Sequence, residues 1–152
     1  MERDRVVVGV DGSPGSILAL RWALGDARRR DADVEVVMCW HPPYMVEASG
    51  YGLGYLTEEE LTADARATLE ACLNEVEPEL AAAREGGLRV STALIEGSPG
   101  PTLVTESKGA ALLVVGRHGR ISLAHWLLGS VSRHVAEHAH CPVVIAAPVH
   151  ND

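Results

Sequence analysis

The chain has 152 residues, of which 47% are hydrophobic, and carries a formal net charge of −8. This length and apolar content suit one domain, residues 1–152, with a substantial core. The acidic balance argues against nucleic-acid binding and against docking on an anionic membrane, since both use basic surfaces. No apolar run has the length of a membrane span and no apolar leader follows the charged N-terminus, so we expect a cytoplasmic protein.

Strands and helices alternate from the N-terminus onward. Residues 5–10 form an apolar strand, and the turn after it predicts a helix that Ser13 caps and that begins with the following proline. This helix is expected to end near residue 30, and residues 33–40 carry the second strand. Residues 41–56 form a loop too long for a simple connection, which is either a lid over a ligand or a disordered loop.

The second half of the chain continues the alternation. Thr57 and Glu60 have capping-box spacing and predict a long helix, which Pro78 kinks or divides. The remaining elements are a third strand at residues 88–95, a short helix that ends at Ser107, a fourth strand at 111–115, a helix at 131–139 opened by Ser130, and a fifth strand from Cys141 or Pro142 to Ala147. This order predicts a parallel sheet with helices on both faces and a ligand beyond the carboxyl ends of the strands.

The segment between the fourth strand and the last helix has the features of an anion site. Gly116 and Gly119 follow the strand, and Gly129 and Ser130 stand at the helix start after nine intervening residues. A helix start has amides without partners, glycine allows close approach, and serine and arginine offer further donors. Phosphate is therefore the expected ligand group, and Asp11 would face it if the first and fourth strands are neighbours.

Several other kinds of site are excluded by inspection. Lys108, the only lysine, precedes the fourth strand, so a P-loop lysine cannot serve the glycine loop at the opposite edge. The turn after the first strand lacks the third glycine of a dinucleotide fingerprint. His134 and His138 are one helical turn apart, but nothing in the sequence completes a metal site around them, so we expect no metal ligands.

These motifs resemble those of the universal stress protein family over nearly the whole chain. The resemblance rests on residues 7–13, 96–99, 114–119, 127–132 and 141–144. It implies a single universal stress protein domain with a five-stranded parallel sheet in the order 3-2-1-4-5, a Rossmann-like fold of the adenine nucleotide alpha hydrolase type. Gly116, Gly119, Gly129 and Ser130 have the spacing Gx2Gx9GS, in which two residues separate the first two glycines and nine separate the second glycine from the Gly-Ser pair. Because the chain keeps this spacing, the resemblance also implies the ATP-binding branch of the family.

The family's ATP-binding scheme implies particular contacts in this chain. Asp11 would lie against the adenosine, and the backbone of Cys39 would meet the adenine edge. Gly116 and Gly119 would flank the ribose and phosphates, whose oxygens the first residues of the last helix would hold. The full set implied by the resemblance is Gly9, Val10, Asp11, Cys39, Gly116, Arg117, His118, Gly119, Gly129, Ser130, Val131 and Ser132.

The function that the resemblance implies is that of an ATP-binding regulatory protein, with Mg²⁺ carried on the phosphates. The alternatives are a slow ATP hydrolase or phosphotransferase and a cyclic AMP-binding protein. Asp11, Glu96 and His118 are candidate bases, but no motif fixes them near a γ-phosphate, so we expect at most slow hydrolysis and assign no catalytic residue. The fifth strand, residues 142–147, would lie at a sheet edge and pair with its copy in a homodimer.

Overall fold

The structure is a computed structural model that describes residues 2–42, 57–118 and 128–149. Residues 43–56 of the predicted lid or disordered loop lie outside the described residues, as does Gly119. The strands are β1 (Arg5–Val10), β2 (Asp33–Trp40), β3 (Val90–Glu96), β4 (Leu112–Gly116) and β5 (Val143–Ala146). The helices are α1 (Pro14–Arg30), α2 (Glu58–Glu75), α3 (Glu77–Glu85), α4 (Pro99–Glu106) and α5 (Ser130–His138).

The five strands form one parallel sheet in the order β3-β2-β1-β4-β5. This order and the helices on both faces confirm the predicted fold class. β1 lies at the centre, where Val6 and Val8 pack into the core on one face and Val7 packs into the core on the other. Alternate side chains of a strand point to opposite faces, so a strand buried on both faces has an unbroken apolar sequence.

The helices divide into two layers around the sheet. α1, α2 and α3 contribute to the core on one face, and α4 and α5 contribute to the core on the other. The chain therefore winds from β1 to β3 beneath one layer and returns through β4 and β5 beneath the other. The winding direction reverses between β1 and β4, and at such a point the loops after the two strands diverge and leave a crevice.

Pro78 divides the predicted long helix into two. α2 ends at Glu75 and α3 begins at Glu77, so Pro78 is the second residue of a new helix, where its missing N–H removes no helical hydrogen bond. Val76 at the junction is fully buried, which holds the break against the core. None of the helices in the described part of the chain combines the length and the apolar composition that crossing a membrane requires.

The start of the last helix differs by one residue from the prediction. Ser130 is the first helical residue, and Gly129 occupies the N-cap position with an extended backbone, φ −66° and ψ 167°. The amide of Gly129 donates a 2.9 Å hydrogen bond to the carbonyl of Arg117, a contact between distant parts of the chain that local sequence does not reveal.

The predicted caps of α1 and α2 are confirmed. Ser13 Oγ accepts a 3.2 Å hydrogen bond from the amide of Ser16 at the start of α1. Thr57 and Glu60 form a reciprocal capping box at the start of α2, with distances of 3.2 and 2.8 Å. Each cap satisfies amides that the first turn of a helix would otherwise leave without partners.

Replacing Ser13 by alanine is expected to lower the free energy of unfolding by about 1 kcal/mol, because the cap of α1 is lost. Ser98→Ala is the matched control, since both serines precede a helix that begins with proline but Ser98 makes no side-chain cap. Chemical denaturation measures both variants. An equal loss in the two variants would contradict the assignment of the α1 cap.

Candidate functional site

Asp11 is held by the turn between β1 and α1. Its Oδ1 accepts a 2.9 Å hydrogen bond from the amide of Ser13, and its own amide donates to Ser16 Oγ at 3.3 Å. The Ser16 hydroxyl in turn donates to the carbonyl of Ser13 at 2.9 Å. These bonds fix a half-buried carboxylate directly beyond the carboxyl end of the central strand.

The first turn of α1 lies directly against the end of β4. A Cβ atom placed on Gly116 would lie 2.6 Å from the carbonyl carbon of Gly15, and one placed on Gly15 would lie 2.8 Å from the carbonyl oxygen of His118. Neither position has room for a side chain, so packing alone requires glycine at both. For Gly116 the sequence pattern predicts close approach to a ligand, whereas it does not single out Gly15, although a glycine in the first turn of a helix is an unusual choice.

Arg117 joins the end of β4 to the start of α5 and the end of β5. Its carbonyl oxygen accepts from the amide of Gly129 at 2.9 Å and from Ser132 Oγ at 3.0 Å. Its amide donates to the carbonyl of Ala146 at 3.1 Å. Ser132 is buried and its hydroxyl proton has a second carbonyl acceptor, that of Gly129, so protein groups occupy this predicted phosphate donor.

The start of α5 presents three consecutive backbone amides. The first hydrogen bond into the helix runs from the amide of Arg133 to the carbonyl of Gly129 at 3.0 Å, so the amides of residues 130–132 precede it. In the part of the chain that the structure describes, no side chain caps this helix, and Ser130 is exposed. Such amides, together with the positive end of the helix dipole, attract an anion.

α4 begins at the same edge of the sheet but offers far fewer donors. Pro99 and Pro101 have no N–H, and the amide of Thr102 is bonded to the carbonyl of Ser98 at 3.1 Å. Only Gly100 contributes another amide to the first turn. Of the two described helices that begin at this edge on the α4/α5 face, α5 therefore has the start that suits phosphate.

Strand register brings Asp11 and the loop after β4 together. Val10 pairs with Met38 of β2, so Asp11 is level with Cys39 on one side. Val8 pairs with Val114 of β4, so Asp11 is level with Arg117 on the other. Because neighbouring strands are about 4.8 Å apart, Asp11 lies between Cys39 and Arg117, at the place where the sequence predicts the ligand crevice.

Two of the predicted site residues, Gly9 and Val10, are fixed by packing, and a third, Cys39, has a neutral side chain. A Cβ atom on Gly9 would lie 2.7 Å from Leu103 Cδ1, and the Val10 side chain is buried in the core. Burial raises the pKa of the Cys39 thiol, and a hydrogen bond with Thr102 only partly offsets this, so the thiol is neutral near pH 7. Backbone groups are what these residues offer to a ligand, and ligand contact stays a prediction for all twelve residues.

His41, which is not among the predicted site residues, follows the carboxyl end of β2. Its Nδ1 atom is buried and has no hydrogen-bond partner in the described structure, and the same is true of both ring nitrogens of His118. The sequence signal for His41 is its position two residues after Cys39, whose backbone is predicted to meet the adenine edge.

His134 and His138 have ring centroids 4.6 Å apart, and the described residues contain no group of three potential metal ligands.

Comparison with known proteins identifies the family. The model of the universal stress protein family matches residues 2–147. The chain belongs to the universal stress protein family. A universal stress protein of Mycobacterium tuberculosis is 37% identical over 142 residues, which cover 93% of this chain and 44% of that protein. The chain spans about half the length of the first curated relatives it matches.

Two solved universal stress protein structures share the fold and contain nucleotides. One, a crystal structure in complex with cAMP, has a TM-score of 0.64 and 27% identity, covering 97% of this chain and 98% of that one. The other, from Archaeoglobus fulgidus in complex with dAMP, has a TM-score of 0.65 and 25% identity, covering 97% of this chain and 100% of that one. Both bound ligands are adenine nucleotides with a single phosphate.

Replacing Gly116 by alanine is expected to destabilise the fold by about 1–3 kcal/mol, because the new methyl group meets the backbone of α1. Gly25→Ala is the matched control: Gly25 lies within α1, and a Cβ atom there meets nothing within 4 Å. That change should stabilise the fold by up to about 1 kcal/mol. Denaturant unfolding gives both values, and a Gly116→Ala variant as stable as Gly25→Ala would refute the close contact.

Proposed function

We propose that this universal stress protein is a regulatory protein that binds ATP at the carboxyl edge of its sheet. The observation that carries the proposal is the row of three amides, residues 130–132, which no side chain of the described residues caps. They follow Gly129, which is hydrogen-bonded to Arg117, the residue level with Asp11. A phosphoryl group supplies acceptor oxygens to such amides and favours the positive helix end. The Gx2Gx9GS spacing, which resembles that of the family's ATP-binding branch, supports ATP over other phosphates.

The nucleoside is proposed to lie across β1 toward β2. Asp11 would contact the adenosine, and the backbone of Cys39, level with Asp11 in the neighbouring strand, would meet the adenine edge. Mg²⁺ would be carried by the phosphates, because the described residues contain no cluster of acidic or histidine ligands. The three separate free thiols suit the cytoplasm, where we place the protein.

Cyclic AMP is a second candidate ligand that a particular observation favours. The Ser132 hydroxyl and the Gly129 amide are bonded within the protein, so the remaining donors at the α5 start are three amides and the Ser130 hydroxyl. Such a set suits one phosphate group, and a similar universal stress protein was crystallised with cAMP. A competition experiment that measures the binding of ATP and of cyclic AMP decides between the two ligands.

For ATP hydrolysis we expect a turnover no faster than about one per minute, whereas typical enzymes run at roughly 10 per second.

Substitution at Ser130 isolates the contribution of a single backbone amide. Proline suits the first helical position, which it already occupies in α1 and α4, so Ser130→Pro removes the amide and the hydroxyl while keeping the helix. Ser130→Ala removes only the hydroxyl and is the matched control. Calorimetric titration with ATP and with cyclic AMP should show about tenfold weaker binding for Ser130→Pro than for Ser130→Ala, since a hydrogen bond to a charged group is lost.

Equal affinity of the two Ser130 variants would contradict phosphate binding at the start of α5. A cooperative thermal transition in both variants, as in the unchanged protein, is the check that neither has lost its fold. Weak binding in every variant and in the unchanged protein would refute the proposed function itself.

We also propose a homodimer through β5. β5 is an edge strand with β4 as its strand neighbour in the described sheet. The carbonyl of Pro142 accepts from Leu113 of β4, and that of Ala146 accepts from Arg117 just beyond β4. The backbone groups of the alternate residues Val143 and Ile145 therefore point away from the sheet. An apolar edge of this kind pairs readily with a second strand, and two copies would pair antiparallel about a two-fold axis.

Sedimentation at micromolar concentration should give a dimer for the unchanged protein. Ile145→Pro should give a monomer, because proline removes an outward N–H and is compatible with an edge strand. A monomeric unchanged protein would refute the strand-five dimer, and so would an Ile145→Pro variant that remains folded and dimeric.

A further inference from the structure

Buried nitrogen atoms without hydrogen-bond partners are concentrated at the carboxyl edge of the sheet. In the described part of the chain, the buried side-chain nitrogen and oxygen atoms without a partner are His41 Nδ1, both ring nitrogens of His118, and Glu79 Oε2. Glu79 already pairs with Arg21 through its other oxygen. The three histidine nitrogens therefore differ from the Glu79 oxygen. His41 directly follows β2 and His118 lies two residues beyond β4, and these two strands flank β1.

Leaving these nitrogens unsatisfied is unfavourable. A neutral imidazole carries one donor and one acceptor, and burial without partners removes their hydrogen bonds to water without replacement. Most buried polar groups in proteins do have partners, so an exception calls for a physical explanation. Two histidines with the same exception at one edge point to a polar ligand that supplies the missing partners.

Register places the two histidines on opposite sides of Asp11. Asp11 is level with Cys39, so His41 lies two positions further along the chain, just beyond the end of β2. Asp11 is also level with Arg117, so His118 lies one position further along the chain, beyond the end of β4. β2 and β4 are two strand spacings apart, about 10 Å, a span that a nucleoside phosphate bridges.

His118 is tied to the phosphate end of the crevice. The carbonyl of the preceding residue, Arg117, accepts hydrogen bonds from Gly129 and Ser132 at the α5 start. The carbonyl of His118 itself is packed against Gly15 in the first turn of α1. His41 belongs to the other end, beyond Cys39, where the nucleoside is proposed to lie.

We propose that His41, which lies outside the predicted set of site residues, contacts the ligand together with His118 of that set, and that the two divide the recognition of a nucleoside phosphate between them. His118 donates a hydrogen bond to a phosphoryl oxygen seated at α5, and His41 bonds the nucleoside through Nδ1. The pair thereby selects a nucleoside phosphate over inorganic phosphate, which reaches only His118. This inference rests on the proposed function of the same crevice.

Leucine variants test the pair with three probes: ATP, cyclic AMP and adenosine. His118→Leu should weaken ATP and cyclic AMP binding about tenfold and leave adenosine binding unchanged, whereas His41→Leu should weaken all three about tenfold. His41→Asn, whose amide lies close to the Nδ1 position, should restore binding to within about threefold. His140→Leu is the control, because His140 is exposed and precedes β5 at the opposite edge of the sheet.

Unfolding of the nucleotide-free variants gives a second, independent readout. Leucine replaces a buried group that has no partner, so neither variant should unfold at lower denaturant concentration than the unchanged protein. A clear loss of stability in the free protein would assign the histidines to folding and overturn the inference. Unchanged nucleotide binding in both leucine variants would overturn it while leaving the proposed function intact, and an unchanged protein that binds none of the probes would overturn both.

Discussion

The close contact between the first turn of α1 and the end of β4 determines the geometry of the whole site. With no side chain at Gly15 or Gly116, the two backbones meet at distances that would place a methyl group 2.6–2.8 Å from carbonyl atoms. This contact holds residues 116–118 beside the turn that fixes Asp11. The reversal of the strand order at the same place predicts a crevice there.

The carbonyl oxygen of Arg117 connects this contact to the last helix. Arg117 follows the packed glycine, and its oxygen accepts from both Gly129 and Ser132, which sets where α5 begins. In the part of the chain that the structure describes, no side chain caps the first three amides of α5. The other described helices begin with a side-chain cap or with proline in the first turn, so α5 departs from the local rule at the place where function is proposed.

Much of this fold could be predicted from the sequence because its signals are local. The apolar run of β1, the cap at Ser13 and the capping box at Thr57 are set by neighbouring residues, and each is confirmed. Pro78 was recognised as a break, although the buried Val76 that fixes its position depends on the assembled core.

The details of the site depend on contacts between distant residues and could not be predicted in the same way. The Gly15–Gly116 contact joins positions 101 residues apart (116 − 15), and the cap position of Gly129 follows from its bond to Arg117. The sequence motif predicts that Ser132 donates a hydrogen bond to phosphate, yet its hydroxyl donates to the carbonyl of Arg117. The unsatisfied nitrogen of His41 becomes visible only once the surrounding chain has buried it.

Amide chemical shifts test the central claim most directly, because they report on each backbone N–H separately. Titration of the labelled protein with ATP and cyclic AMP, followed in ¹H–¹⁵N spectra, should move the amides of Ser130, Val131 and Ser132 most, and adenosine should leave them nearly unmoved. The amide of Gly100 in α4 is the internal reference and should shift little. Saturating nucleotide that shifts other residues but leaves the three α5 amides in place would contradict the account.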